Sequence, residues 1–316
     1  MQEKQKELFD QYDMELLHVR RGRGGLICET EDGMFDLQIC NQSPRKLEQA
    51  FEIKEQLIEQ KFSYVDQYYR NKDGELLTYD RYQTPYIMKR HFDGRECDIR
   101  NKKDIAAAGE QLGILHQCLK NIPAETYPRK KNRFQQKTKE LIRTKQYIAK
   151  KNEKKEFEVL FNRYFDLFWK DVKTIYEEEE QESALCHGAY HHHHLLMLPG
   201  QKMAVVQFEN FYVGNQLEDV FQLMRKILEK NQYDFSYAKK LLDAYETKRI
   251  LRPADYRYLF CMLSYPEKYW KLANQYMNHR KSFLSPKLTE KLQDAVRLQE
   301  KKEKFLQDFW LFYLQS

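Results

Sequence analysis

CHGAYHHHHLLMLPGQKMAVVQFEN, residues 186–210, is the stretch that decides the fold. Two short apolar runs, 195–198 and 203–208, flank a Pro199-Gly200 turn. The stretch therefore reads as a loop, a strand, a turn and a second strand. The four histidines before the first strand raise a second question, because neutral imidazole is a common zinc ligand. Four adjacent side chains cannot converge on one ion. In extended backbone neighbours alternate sides, so His191 with His193, or His192 with His194, forms at most half a site. Cys186, His187 or a carboxylate such as Glu209 must then complete it. No specific metal is expected.

On both sides of this hairpin the chain reads as helix. Downstream, EDVFQLMRKILEK (218–230), SYAKKLLDAYETKRI (236–250), the segment 255–262, SYPEKYWKLANQYMNHRKSF (264–283) and LTEKLQDAVRLQEKKEKFLQDF (288–309) follow one another. Upstream, KKDIAAAGEQLGILHQCL (102–119) carries Ile105, Leu112, Leu115 and Leu119 at helical spacing. His116 on this helix reads as a buried brace for the loop, and His187 as the loop's anchor. Between 128 and 157 there are 12 Lys/Arg against 3 Glu, and FEVLFNRYFDLFWKDV (157–172) is amphipathic and aromatic. No Gly or Pro interrupts 129–187, which favours a charged helical insertion over about 129–180. The basic run reads first as the solvated face of that insertion, and second as a docking surface for an acidic partner or an anionic polymer. The tyrosine-rich stretch near 270–283 offers another surface for partners.

Residues 1–92 have a different grain. LLHVRRGRGGLICETEDGMFDLQIC alternates apolar and polar residues around turns at Gly22–Gly25 and Asp32-Gly33. KLEQAFEIKEQLIEQKF (46–62) has a helical apolar face of Leu47, Phe51, Ile53, Leu57 and Ile58. A strand, an Asp-Gly turn, a strand and an apolar strand at 86–88 complete the segment. The reading is α+β: a small antiparallel-sheet lobe over 1–92 with one helix, and a larger, mainly helical lobe over 93–316 that contains the loop and hairpin of 183–214.

The bulk numbers agree with a folded chain. It has 316 residues, 41% hydrophobic and 14% aromatic, enough for one large domain or for two lobes with a core each. Charged residues reach 32% and mean hydropathy is −0.85, so the surface is strongly solvated. A net charge of +6 does not by itself call for nucleic acid. The basic run also lacks interleaved aromatics beyond Phe134 and Tyr147, so nucleic acid ranks last among the partners. No apolar run is long enough for a membrane-crossing helix, and the charged N-terminus does not read as a signal peptide. The six cysteines are scattered without a CxxC and read as reduced core thiols of a cytosolic protein. Only Cys186, beside the loop, invites a closer look.

A strand lobe with one helix, followed by a helical lobe holding a loop and hairpin, resembles the protein-kinase-like fold in its aminoglycoside phosphotransferase and choline kinase branch. More closely, the chain resembles the CotS family of bacterial spore coat proteins. The matching stretches are the Gly22-Arg23-Gly24-Gly25 turn, YIMKRHFDGREC (86–97), LGILH (112–116), CHGAYHHHHLL (186–196), EDVFQLMRKILEK and SYPEKYWKLANQYMNHRKS (264–282). The resemblance implies synthesis in the mother-cell cytosol, incorporation into the spore coat, and other coat proteins as partners.

The resemblance also allows a chemical audit. A kinase of this branch positions phosphates with a lysine on its third strand, a loop aspartate, and an asparagine and an aspartate that hold Mg²⁺. The corresponding positions here are Gln38, Ala189, His194 and Gln207. Alanine cannot orient a hydroxyl, and glutamine and histidine are poor ligands for a hard cation that favours carboxylate oxygen. Glu209 could rescue the metal site if it shares a strand face with Gln207. Glu48, Glu52 or Glu55 could be the helix glutamate, but each lacks the strand lysine to pair with. A pseudokinase acting as a structural coat component is therefore expected, with no cofactor. A small-molecule or sugar kinase with relocated metal ligands is the alternative. Gly22, Gly24, Gly25 and Met88 mark where a vestigial cleft could still hold ATP.

Overall fold

The computed structural model describes residues 7–22, 24–130, 134–173, 183–278 and 286–315. Its N-terminal region is an antiparallel sheet of β1 (Leu16–Gly22), β2 (Gly25–Thr30), β3 (Gly33–Ile39), β4 (Tyr68–Tyr69), β5 (Leu77–Tyr79) and β6 (Pro85–Arg90). The strand order is β1-β2-β3-β6-β4, with β5 also on β6. Register fixes the faces. Gln38 lies opposite Ile87, Asp36 opposite Lys89, and Leu37 opposite Met88. Opposed residues share a face, so Gln38, Ile87 and Lys89 point one way and Leu37 and Met88 the other. Leu8, Phe9 and Tyr12 cover the Met88 face together with Cys28, Phe35 and Tyr86. The opposite face is covered by α1 (Pro44–Glu59), whose Leu47, Ala50, Ile53 and Leu57 repeat at helical spacing.

The remainder is mainly helical: α2 (Lys102–Lys120), α3 (Phe134–Ala149), α4 (Glu156–Lys173), α5 (Leu217–Lys230), α6 (Phe235–Glu246), α7 (Pro253–Ser264), α8 (Glu267–Asn278), α9 (Pro286–Arg297) and α10 (Gln299–Tyr313). Between α4 and α5 lie β8 (Ala184–Cys186), β9 (Leu195–Met197), β10 (Met203–Val205) and β11 (Tyr212–Gly214). β9 forms the expected hairpin with β10 and also pairs with β7 (Arg95–Glu96), while β11 pairs with β8. The sheet region has a buried cluster of its own, on the Met88 face. One buried cluster runs from α1 through α2 and the hairpin to α5, α6, α7 and α10.

Helix α2 lies unusually close to α6. A Cβ at Gly109 would stand 2.5 Å from the Leu241 carbonyl oxygen, and one at Gly113 would stand 2.9 Å from that of Tyr245. Two glycines four residues apart open that side of α2 and bring His116 within reach of Tyr245.

A second core joins α3, α4, α8 and α9. Phe157, Phe161, Phe165 and Phe168 form one face of α4, and Tyr269 stacks at 4.6 Å on Phe161 and 4.3 Å on Phe168. This corrects the surface role expected for the tyrosine-rich stretch: Leu272, Ala273 and Tyr276 are buried in this core. Residues 279–283 of that stretch, like 131–133 and 174–182 of the insertion, lie outside the described residues.

Two local expectations also change. His192–His194 form a 3-10 turn rather than extended backbone. The second hairpin strand ends at Val205; Gln207 is left-handed (φ 69°), and a 3-10 turn follows over Phe208–Asn210. The strand alternation that would pair His191 with His193, or Gln207 with Glu209, therefore does not apply.

Candidate functional site

The loop between β8 and β9 is held from beneath by Asp219, a residue of the first turn of α5. Its carboxylate accepts hydrogen bonds from the backbone N–H groups of His187 (2.7 Å) and Gly188 (2.9 Å). His116 Nε2 lies 3.5 Å from the same carboxylate, and its Nδ1 bonds the Tyr245 hydroxyl at 2.8 Å. Gln216 donates to the carbonyls of His116 (3.1 Å) and Leu185 (2.9 Å) and accepts from Arg249 (2.7 Å). His116 is thus the buried brace its position indicated. Asp219 and Gln216 went unnoticed, although both lie at the start of the helix that follows the loop and hairpin.

His187 is fully buried. Its Nδ1 accepts from the Ala189 N–H (3.2 Å), so Nε2 carries the proton and donates to the Val206 carbonyl (3.1 Å). His194 donates through Nδ1 to the Ala189 carbonyl at 2.9 Å. The residue at the metal-asparagine position thus binds the loop's own backbone. The rings of His191 and His194 lie 3.9 Å apart and tilted at 38°, those of His192 and His193 3.9 Å apart at 37°, and His193 Nδ1 pairs with Glu96 at 2.6 Å. Among the described residues no three His, Cys, Asp or Glu side chains are placed to hold a metal. His191, His193 and Glu209 are not brought together. Cys186 is buried, and burial raises its thiol well above the ordinary value, so it is poorly suited to thiolate chemistry.

These histidines are expected to make the fold acid-sensitive. Burial, chiefly, lowers His187 to about 4, and burial followed by the charges of its neighbours lowers His191 to about 3. A histidine whose folded pKa lies below its unfolded 6.5 stabilises the fold above 6.5 and loses that contribution as pH falls toward the folded value. For His187 the full loss is about 3 kcal/mol. Urea midpoints measured from pH 7.5 downward should fall steadily below pH 6.5, and His187→Gln should flatten the slope. A stability constant down to pH 4.5 would contradict the arrangement.

Above the loop lies a cluster that sequence reading did not anticipate. Lys54 of α1 is wholly buried and pairs with Asp66 at 2.8 Å. Its Nζ also donates to the Asp66 backbone carbonyl (2.9 Å) and lies 3.4 Å from the centre of the Tyr68 ring. Lys89 of β6 pairs with Glu209 at 2.8 Å and stands 4.0 Å from Asp66. Tyr68 donates to Glu209 (2.9 Å), and Asp66 accepts the Gln207 N–H (3.0 Å). Burial works against the charge on Lys89, yet Glu209 and Asp66 outweigh it and raise its pKa. Burial likewise opposes the Glu209 carboxylate, but Lys89 and Lys54 keep it well below the usual range. Burial, foremost, lowers Lys54. Two lysines and two carboxylates thus balance one another within the cluster.

The expected lysine strand thus carries Gln38, while a lysine on the adjacent strand projects from the same face. α1 contributes a lysine rather than a glutamate. Glu48 instead forms a bidentate surface pair with Arg70 (2.7 and 3.1 Å), and Glu55 accepts from Gln67 (2.9 Å). One signal for Lys54 was present: it falls four residues after Ala50 and three before Leu57, on the buried stripe of α1.

The positions marked for a nucleotide cleft divide. Gly22 and Gly25 pair across the β1–β2 turn beside Gly24, and Gly25 packs against β3 at Gln38. Met88 does not share that face. It is fully buried under Leu8, Phe9 and Tyr12 on the far side of the sheet, because the pleat reverses between Ile87 and Met88.

A family model described as "Spore coat putative kinase YutH" matches residues 5–309. No curated protein matches the chain. Among solved structures, an aminoglycoside phosphotransferase from Alicyclobacillus acidocaldarius superposes with a TM-score of 0.86 at 16% identity, covering 98% of this chain and 96% of that one. Spectinomycin phosphotransferase APH(9)-Ia, in complex with ADP and spectinomycin, gives 0.70 at 11% identity, with 96% and 98% covered. A microcompartment-associated aminopropanol kinase gives 0.63 at 14%, with 97% of each chain covered. At these identities the likeness is one of fold, the kinase-like fold.

Proposed function

The chain belongs to the spore coat kinase-like family that its residues 5–309 match, and from this premise we propose that it is a structural component of the coat that performs no phosphotransfer. The observation that carries the reading is the self-neutralised cluster of Lys54, Asp66, Lys89 and Glu209. It fills the region where a kinase of this branch would place its phosphate-binding lysine and metal carboxylate. Ala189, His194 and Gln207 add no replacement acid or hard-cation ligand. The loop keeps its framework of Asp219, His116 and Gln216, so it still knits the hairpin to α2 and α5. In this reading the chain folds in the mother cell and reaches the coat through contacts with other coat proteins.

The second reading, a small-molecule or sugar kinase, draws on the phosphotransferase titles of the structural neighbours. It requires Glu209 to leave Lys89 and take a metal. Thermal unfolding of untagged protein with and without ATP and Mg²⁺ separates the two. A ligand at about 100 times its Kd stabilises by roughly 2.7 kcal/mol. No shift in Tm, together with a tagged copy that localises to the coat, is the expected result. An ATP-dependent shift with phosphate turnover that Glu209→Ala abolishes would replace the structural role with the catalytic one.

A further inference from the structure

A basic surface lies apart from the cleft, where α5, α8 and α9 meet. Its centre is a small cavity of about 40 Å³, open to solvent, with Arg225, Glu229, Tyr233, Tyr265, Glu267 and Lys268 among its lining. Arg225, Lys226, Lys137, Lys268, Lys271 and Lys291 lie close enough to Glu229, Glu267 or one another to act on their charges. Arg225 is engaged by Glu229 at 2.6 Å, and Lys137 and Lys271 close on Glu267 at 2.6 and 3.6 Å. Among the described residues, the side chains of Lys226, Lys268 and Lys291 have no ion pair or hydrogen bond, and they come from three different helices. Burial and then the Arg225 charge hold the ammonium of Lys226 below its ordinary value, and the same two causes act on Lys271. Half-buried like charges held side by side cost free energy that a bound anion would offset.

We propose that this junction of α5, α8 and α9 is a docking site for an acidic segment of another protein, whose carboxylates pair with Lys226, Lys268 and Lys291. Several features favour a polypeptide over a nucleic acid. Arg225 already pairs with Glu229 through one guanidinium nitrogen, which weakens it as a phosphate clamp. Phe168, Phe221, Tyr265 and Tyr269, which line the cavity, are buried and offer no face for base stacking. Glu229 and Glu267 would repel a continuous phosphate backbone, whereas spaced carboxylates can avoid them. The site is independent of the cleft and holds whether or not nucleotide binds there.

The test is fluorescence anisotropy with a labelled oligo-glutamate peptide at low salt. The variant Lys226→Gln/Lys268→Gln/Lys291→Gln should weaken binding by about tenfold or more. Lys139→Gln/Lys150→Gln/Lys154→Gln removes as much charge from exposed positions on and just after α3 and should leave binding unchanged. Because the first variant relieves repulsion, its melting temperature should not fall. If it does fold poorly, Lys291→Glu alone, at an exposed position, still carries the test. Absence of peptide binding would overturn the proposal, as would equal loss in both triple variants. Tighter binding of single-stranded DNA than of the peptide would overturn the partner class.

Discussion

Asp66→Ala is expected to destabilise the protein by about 4 kcal/mol, read as a shift in urea midpoint. The carboxylate is 3% exposed and has three roles. It neutralises Lys54 at 2.8 Å, lies 4.0 Å from Lys89 and accepts the N–H of Gln207 at 3.0 Å. Its loss leaves a wholly buried lysine without a counter-charge and frees the turn that leads to Glu209. The double variant Lys54→Met/Asp66→Asn removes both charges and keeps an acceptor for Gln207, so it should recover most of the loss. Glu48→Gln, which breaks the exposed pair with Arg70, should cost about 1 kcal/mol or less. If Asp66→Ala costs no more than Glu48→Gln, the cluster is not what joins the sheet region to the loop.

Gly188→Ala should be comparably damaging, at about 3 kcal/mol or more. Gly188 has φ +79°, a conformation an L side chain adopts only with strain. A Cβ there would lie 1.9 Å from the Asn210 carbonyl oxygen, which is backbone and cannot rotate away. Relieving that overlap would separate the strands β8 and β11 and pull the Gly188 N–H from Asp219, 2.9 Å away. Differential scanning calorimetry gives the measure. A Tm within a degree or two of the parent would show that the loop has another accommodating conformation. The two variants probe opposite sides of the same region, the charge cluster above the loop and the framework beneath it. Both act on the turn over 207–210, through Gln207 and Asn210, so their effects should not simply add.

Much of this architecture was legible in the sequence because it depends on short-range periodicity. The alternation around Gly22–Gly25 and Asp32-Gly33 gives β1 to β3, and the spacing of Leu47, Ile53 and Leu57 gives α1. The Pro199-Gly200 turn gives the hairpin within a helical region. Substitution of the kinase positions at Gln38, Ala189, His194 and Gln207 also needs no structure to be seen, since it is a matter of residue identity.

Tertiary structure decided what took their place. Residues 54, 66, 89 and 209 come from α1, the segment after it, β6 and the 3-10 turn beyond the hairpin. No local pattern relates them, because their meeting is set by how the sheet packs on the loop. The left-handed Gln207 matters most, since it redirects Glu209 away from strand alternation and toward Lys89. A sequence states which charges are present. Only packing states which of them leave water together, and the cost of removing a charge from water is what makes each buried lysine keep its acid.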